Sequence, residues 1–146
     1  VFVIAFPKEG ERFTEFYILG EKMKAADYPD RVEPGEGYPM YIGIGNHEHR
    51  TVTYTVETQL MQMNADPLTN TSWVSDMILL ESREVNLPDN ETVVSPWNLT
   101  VPGPGFNRIE FLLFNETVPG LEVSGMDRIN ASYRDLHLWI SIESEE

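Results

Sequence analysis

Residues 38–60 read YPMYIGIGNHEHRTVTYTVETQL, and their spacing decides the fold. Tyr38, Met40, Ile42 and Ile44 fall on one side of an extended chain while Gly43 and Gly45 fall on the other, a period of two rather than the helical period of about 3.6. Residues 47–50 (HEHR) make a polar break. Beyond it Val52, Tyr54, Val56 and Leu60 alternate with Thr51, Thr53, Thr55, Glu57 and Gln59. Successive side chains of a strand point to opposite faces, so each half reads as a strand with one face in a core. The short connection predicts a hairpin, with Asn46 and His47 fixing its turn.

Strand signals continue on both sides. Upstream, FTEFYIL (residues 13–19) is short and aromatic-rich and stops at Gly20. Tyr28-Pro29-Asp30 and Glu33-Pro34-Gly35-Glu36-Gly37 are turn chemistry, Pro fixing φ and Gly supplying positive φ. Downstream, residues 64–70 (NADPLTN) are loop-like, and residues 72–85 hold a strand around Trp73-Val74 and residues 77–80, with helix left open as the alternative. Leu87-Pro88-Asp89-Asn90 is a turn, followed by strands at residues 92–95 and 97–101. Pro102-Gly103-Pro104-Gly105 cannot continue a central strand. Residues 106–114 (FNRIEFLLF) read as a buried strand ended by Pro119-Gly120, and residues 125–134 have room for one short helical turn. In the closing LHLWISI (residues 136–142), Leu136, Leu138, Ile140 and Ile142 share one face. Seven or eight short strands with Gly/Pro turns and no long amphipathic helix predict an all-β fold, an antiparallel two-sheet immunoglobulin-like β-sandwich. A parallel α/β sheet would need crossover helices.

The whole chain, 146 residues, is one core's worth and reads as a single domain. A hydrophobic share of 41% with 11% aromatic residues is too rich for a disordered acidic tail, which could not bury enough surface to offset its chain entropy. The formal charge is −14, and only three Lys are present, all before residue 25. Phosphate binding needs clustered Lys and Arg, so nucleic acid is excluded as a partner and anionic membrane surfaces are disfavoured. Without Cys there is neither a disulfide framework nor a thiolate metal site. Val123-Ser124-Gly125 lacks the leading Gly of a nucleophile elbow, and Gly43-x-Gly45 lies within a strand with no helix after it, so hydrolase and nucleotide readings are poor.

Five of the nine Asn stand in Asn-x-Ser/Thr sequons: Asn70, Asn90, Asn98, Asn115 and Asn130. Random placement would give roughly one such match, so the excess points to a secreted or cell-surface glycoprotein. No apolar run approaches the length of a membrane span, about 20 residues. No signal peptide with a basic start and a cleavage site is present. The chain opens abruptly with Val1-Phe2-Val3-Ile4-Ala5-Phe6 and no initiator Met, which leads us to expect a preceding segment. Its acidic end, Glu143-Ser144-Glu145-Glu146, is expected to fray.

Phe13, Thr14, Glu15, Phe16 and Tyr17 in FTEFYILG, the later Tyr28-Pro29, and YIGIGNHE (residues 41–48, with Asn46, His47 and Glu48) followed by Val52-Thr53-Tyr54 form a combination specific as a set. On these residues the chain resembles the soluble domain of the domain-of-unknown-function 1616 family, predicted membrane proteins found largely in archaea. IEFLLF before Asn115 and LHLW (residues 136–139) extend the resemblance over nearly the whole chain. It implies an extracytoplasmic domain excised from a longer protein, with a hydrophobic multi-helix anchor region before it. It supplies no catalytic residue.

Three constellations invite chemistry. In an extended segment His47 and His49 project to one side, a geometry that a Zn²⁺ or Cu²⁺ ion uses with a third ligand such as His137. Against this stands a turn capped by Asn46, with the His and Glu side chains paired or in solvent. Residues 27–36 and Asp89-Asn90-Glu91 offer hard oxygen ligands for Ca²⁺, although no D-x-D-x-D-G loop is present. Trp73, Trp97 and Trp139 would serve as a sugar platform if exposed together, and a carboxylate pair among 24 acids would suit sugar processing.

The resulting expectation is a non-enzymatic extracytoplasmic module of a cell-envelope membrane protein with no cofactor, interacting with another envelope protein, an S-layer or itself. The alternatives are a carbohydrate-binding or sugar-processing domain, or a divalent-metal domain using His47 and His49.

Overall fold

The computed structural model describes residues 11–143. The Val1 to Phe6 opening, and Ser144, Glu145 and Glu146 of the acidic end, lie outside the described residues. The elements in chain order are β1 (Phe13–Leu19), β2 (Arg31–Val32), β3 (Tyr38–His47), β4 (Val52–Asp66), β5 (Thr71–Leu87), β6 (Thr92–Leu99), β7 (Arg108–Asn115), α1 (Gly125–Ala131), β8 (Arg134–Trp139) and β9 (Ser141–Ile142). A three-stranded sheet in the order β1-β3-β6 faces a four-stranded sheet in the order β5-β4-β7-β8, and a small parallel pair joins β2 to β9. All pairings within the two large sheets are antiparallel. The fold is the all-β, immunoglobulin-like two-sheet sandwich that the alternation predicts.

Alternate residues of both sheets meet in one core. Phe16, Ile18, Met40, Ile42, Ile44, Trp97 and Leu99 come from the three-stranded sheet, and Val52, Tyr54, Val56, Leu60, Ile109, Phe111, Leu113 and Leu138 from the other. Each large apolar side chain so buried contributes about 1.5–3 kcal/mol, which makes this layer the dominant stabilising term. Trp97 meets the Phe111 ring edge to face across the sheets, with centroids 5.6 Å apart. Leu136, Leu138, Ile140 and Ile142 all reach this cluster, as their shared face requires.

The expected hairpin of residues 38–60 does not form. β3 and β4 lie in different sheets, joined by a crossing at residues 48–51. Both strands are apolar on their inner face, and opposing those faces across the sandwich buries both, whereas side-by-side pairing would leave each needing another cover. Asn46 fixes the crossing rather than a hairpin turn. Its buried side chain donates to the carbonyls of Arg50 (2.8 Å) and Leu87 (2.7 Å) and accepts from the Glu48 N–H (2.8 Å). Gly43 is covered by the Tyr17 ring, which occupies the space a Cβ would need.

Residues 72–85 are one long strand with no helical portion. The pairing of β4 with β5 shifts register between Thr58 and Gln59 and again between Gln62 and Met63, so that Leu80 and Ser75 are extra residues on β5. Two bulges spoil the period-two pattern, which is why helix stayed open in the sequence. Pro96 does not divide residues 92–99 either. β6 is an edge strand, where a missing N–H is tolerated, and Arg83 Nη1 of β5 donates to the Pro96 carbonyl at 3.0 Å.

The polar side of β4 is only partly solvated. Helix α1 lies over the outer face of the four-stranded sheet, where Ile129 packs with Met61, Leu112 and Phe114. Seven residues are too few for a helix to persist alone. Arg128 holds this one down with two bonds to Glu57 (2.8 and 2.7 Å) and two to the carbonyls of Gly120 (2.9 Å) and Val123 (3.0 Å). Gln59 also donates to Glu57, at 3.0 Å. Burial pulls the Glu57 carboxyl upward, but the Arg128 and Gln59 hydrogen bonds outweigh it and hold the group below the ordinary carboxylate range.

Candidate functional site

The residues of FTEF and NHE meet at one end of the sandwich because β1 and β3 pair with Phe13 opposite His47 and Thr14 opposite Asn46. Strand alternation turns Thr14 inward and Phe13 and Glu15 outward. Inside, Thr14 Oγ1 donates to Glu48 Oε2 at 2.6 Å, and the Tyr133 hydroxyl donates to the same oxygen at 2.5 Å. With its hydrogen given to Glu48, Thr14 Oγ1 accepts from the Tyr54 hydroxyl at 2.7 Å. Burial raises the pKa of both tyrosines, and for Tyr133 the bond to Glu48 raises it further, so both remain donors at neutral pH. Outside, the His47 ring stacks on Phe13 with centroids 4.6 Å apart. His47 Nε2 lies 3.2 Å from Glu15 Oε1, and Nδ1 lies 3.3 Å from Asn90 Oδ1. Phe16 enters the core, and Tyr17 covers Gly43. This chemistry braces two strands and the crossing between sheets.

His49 does not join His47 in a ligand set. It sits in the crossing with φ of 66°, its N–H donating to Asp89 Oδ1 at 3.0 Å. His137 is elsewhere, on β8, where it belongs to a different group. Among the described residues, neither the 27–36 loop nor Asp89-Asn90-Glu91 gathers three metal-ligating side chains. The tryptophans are dispersed too. Trp97 is only 5% exposed in the core, while Trp73 (48%) and Trp139 (54%) lie on β5 and β8, the two opposite edges of the larger sheet. They form no common platform.

Of the sequon residues, Asn70, Asn90, Asn98 and Asn130 are exposed and Asn115 is half-buried, accepting from Arg50 Nη2 at 3.3 Å. Asn70 and Asn90 take left-handed backbone at turns, with φ of 54° and 64°. Asn98 is on β6, Asn115 ends β7 and Asn130 is in α1.

A second constellation stands on the outer face of β7 and β8, where Glu110 pairs with His137, Arg108 with Trp139 and Leu112 with Asp135. Glu110 has no exposed surface. Its Oε2 accepts from Arg108 Nε at 2.8 Å, and its Oε1 is buried without a hydrogen-bond partner. Arg108 is held in turn over the Trp139 ring, 5.0 Å from its centroid, and His137 meets that ring edge-on. Ligand atoms of Glu110, Asp135 and His137 all lie within 4.8 Å of one another. Burial pushes the Glu110 carboxyl up to about 8, the contact with Asp135 adds to the rise, and Arg108 opposes it. Burial and the Arg108 charge lower the pKa of His137, leaving its imidazole neutral at pH 7. Reading the sequence for strands passed over Glu110 and Asp135. The available signal was a lone acid inside the apolar run RIEFLLF, together with the two-residue spacing of Asp135 and His137, which puts both on one face.

Strand order and core define the class, an immunoglobulin-like β-sandwich domain. The chain belongs to the DUF1616 family, a domain of unknown function whose model matches residues 7–141. Comparison with curated protein sequences finds no match. Among solved structures, the chain is similar to the CARDB domain of the PF1109 protein from Pyrococcus furiosus, solved in complex with di-metal ions. The TM-score is 0.51 at 16% identity, covering 95% of both chains. It is also similar to part of the β-glucosidase EmGH1 of Erythrobacter marinus, with a TM-score of 0.50 at 10% identity, covering 90% of this chain and 16% of that one. The sporulation control protein Spo0M of Bacillus subtilis matches with a TM-score of 0.48 at 11% identity, covering 90% of this chain and 50% of the other. The chain thus spans half of the Spo0M chain and a small part of the glucosidase. At these identities the likeness is one of fold.

Proposed function

We propose that this domain is a non-enzymatic interaction or structural module on the extracytoplasmic face of a cell-envelope membrane protein, meeting another envelope protein, an S-layer or a second copy. One observation carries the reading: all five sequon asparagines lie clear of the core, four of them exposed, and they are spread over a turn tip, a second turn, an edge strand, a strand end and a helix. A glycan needs an accessible acceptor in a compartment that holds the transferase. The inward use of Thr14, Asn46 and Glu48 is in keeping, since these motif residues brace the fold instead of lining an open cleft. No helix among the described residues is long and apolar enough to cross a membrane.

The test is glycopeptide mass spectrometry on the protein from its native membranes. Several of Asn70, Asn90, Asn98, Asn115 and Asn130 should carry glycan. Bare asparagines throughout, on well-covered peptides, would sink the extracytoplasmic reading.

A further inference from the structure

Glu110 Oε1 is fully buried on the outer face of β7 and receives no donor. The Asp135 carboxyl lies against that of Glu110, and while both are ionised neither can donate to the other. Either a proton or a cation must lie between them, because a buried, unpaired acceptor costs free energy and two like charges in contact cost more. Arg108 does not fill the gap, since its Nε is bound to the other oxygen of Glu110. The third neighbour is the His137 imidazole, within the same 4.8 Å circle and delivered by the strand register that sets it opposite Glu110.

We propose that Glu110, Asp135 and His137 form a binding site for a divalent transition-metal ion of the Zn²⁺ class. Once the metal displaces the proton held between Glu110 and Asp135, two carboxylates and one neutral imidazole are three ligands of the types such ions take, with a fourth position left for water. A nitrogen ligand argues against Ca²⁺ and Mg²⁺, which prefer oxygen alone. Ligand atoms around one tetrahedral Zn²⁺ stand about 3.4 Å apart, given bonds of about 2.0–2.1 Å. The side chains, up to 4.8 Å apart, must therefore close by up to about 1.4 Å. Asp135, exposed at the sheet edge, has the freedom to do so, while Glu110 is held by Arg108 and Arg108 by the Trp139 ring. A ligating carboxylate steadied by a second hydrogen bond is the usual support around a bound metal. The site is independent of the extracytoplasmic reading and distinct from the His47 and His49 pair.

Titration of the 146-residue chain with Zn²⁺, and with Co²⁺ as a visible probe, tests the site at pH 7. The wild type should bind one equivalent, with Co²⁺ bands of low-symmetry coordination and a thermal midpoint that rises with Zn²⁺. His137→Ala and Asp135→Asn should each weaken binding by about tenfold or more. Both change side chains that are not fully buried, so folding should survive, and far-ultraviolet circular dichroism checks it. His47→Ala and His49→Ala should bind as the wild type does. No saturable binding by the wild type, or binding that persists in His137→Ala and disappears in His49→Ala, overturns the proposal. The first of these outcomes leaves a shared proton between Glu110 and Asp135.

Discussion

At the scale of single residues, the motif side chains are spent on joining strands that the sequence leaves far apart. Asn46 has no exposed surface and serves the carbonyls of Arg50 and Leu87 and the N–H of Glu48. Asn46→Ala orphans these buried groups, and the expected loss is about 2–4 kcal/mol, read as a lower midpoint in urea unfolding with the slope unchanged. Glu57 and Arg128 make a pH-dependent clamp. Because the folded carboxyl titrates below its ordinary value of 4.5, the clamp's contribution is complete above that pH and is lost as pH falls through the lower folded value. Glu57→Gln should therefore flatten the acid limb of the stability curve below pH 4.5 relative to the wild type, measured by thermal unfolding at successive pH values. An unchanged acid limb would show that other carboxyls govern it. Asn46 stood out in the sequence because it breaks a strand before a turn. Glu57 did not, because an acid on the polar side of an alternating strand looks solvated until a helix from 71 residues further along covers it.

At the scale of elements, β4 and β5 outrun their sheet. β7 pairs with β4 only as far as Met61, and Asn107 extends the contact through two side-chain bonds with the Met63 backbone (2.8 and 2.9 Å). Beyond that, Asn64 to Asp66 and Thr71 to Trp73 pair only with each other, around a turn that holds Leu68 almost wholly exposed. A two-stranded ribbon is marginal on its own. Its amides should therefore exchange with deuterium much faster than those of residues 54–60, which are paired on both sides, and equal protection along β4 would contradict this. Strand existence was largely legible in the sequence, since alternation is a local property. The partner of each strand was not, and the hairpin expected at residues 38–60 failed for that reason. A turn of four residues spans the gap between two sheets as easily as the gap between neighbours, and the choice depends on which faces remain to be covered.

At the scale of the whole molecule, a charge of −14 on a domain of this size repels itself. Raising the salt concentration from about 0.01 M to about 0.15 M shortens the screening length from about 30 Å to about 8 Å. The thermal midpoint should climb by a few degrees over that range, and a flat response would mean that the acids are already neutralised in pairs. Composition and periodicity were enough to place the chain among immunoglobulin-like sandwiches. The lone acid Glu110 and the spacing of Asp135 and His137 were visible, but their meeting was not, because it depends on the register between two strands separated by a helix. Pro96 also governs how this sheet can meet another molecule. The three-stranded sheet ends on β6, whose row of edge donors is interrupted there, while Arg83 already occupies the adjoining carbonyl. A strand from another molecule laid against β6 would find this donor missing and this acceptor taken, so the edge is a poor template for pairing between copies.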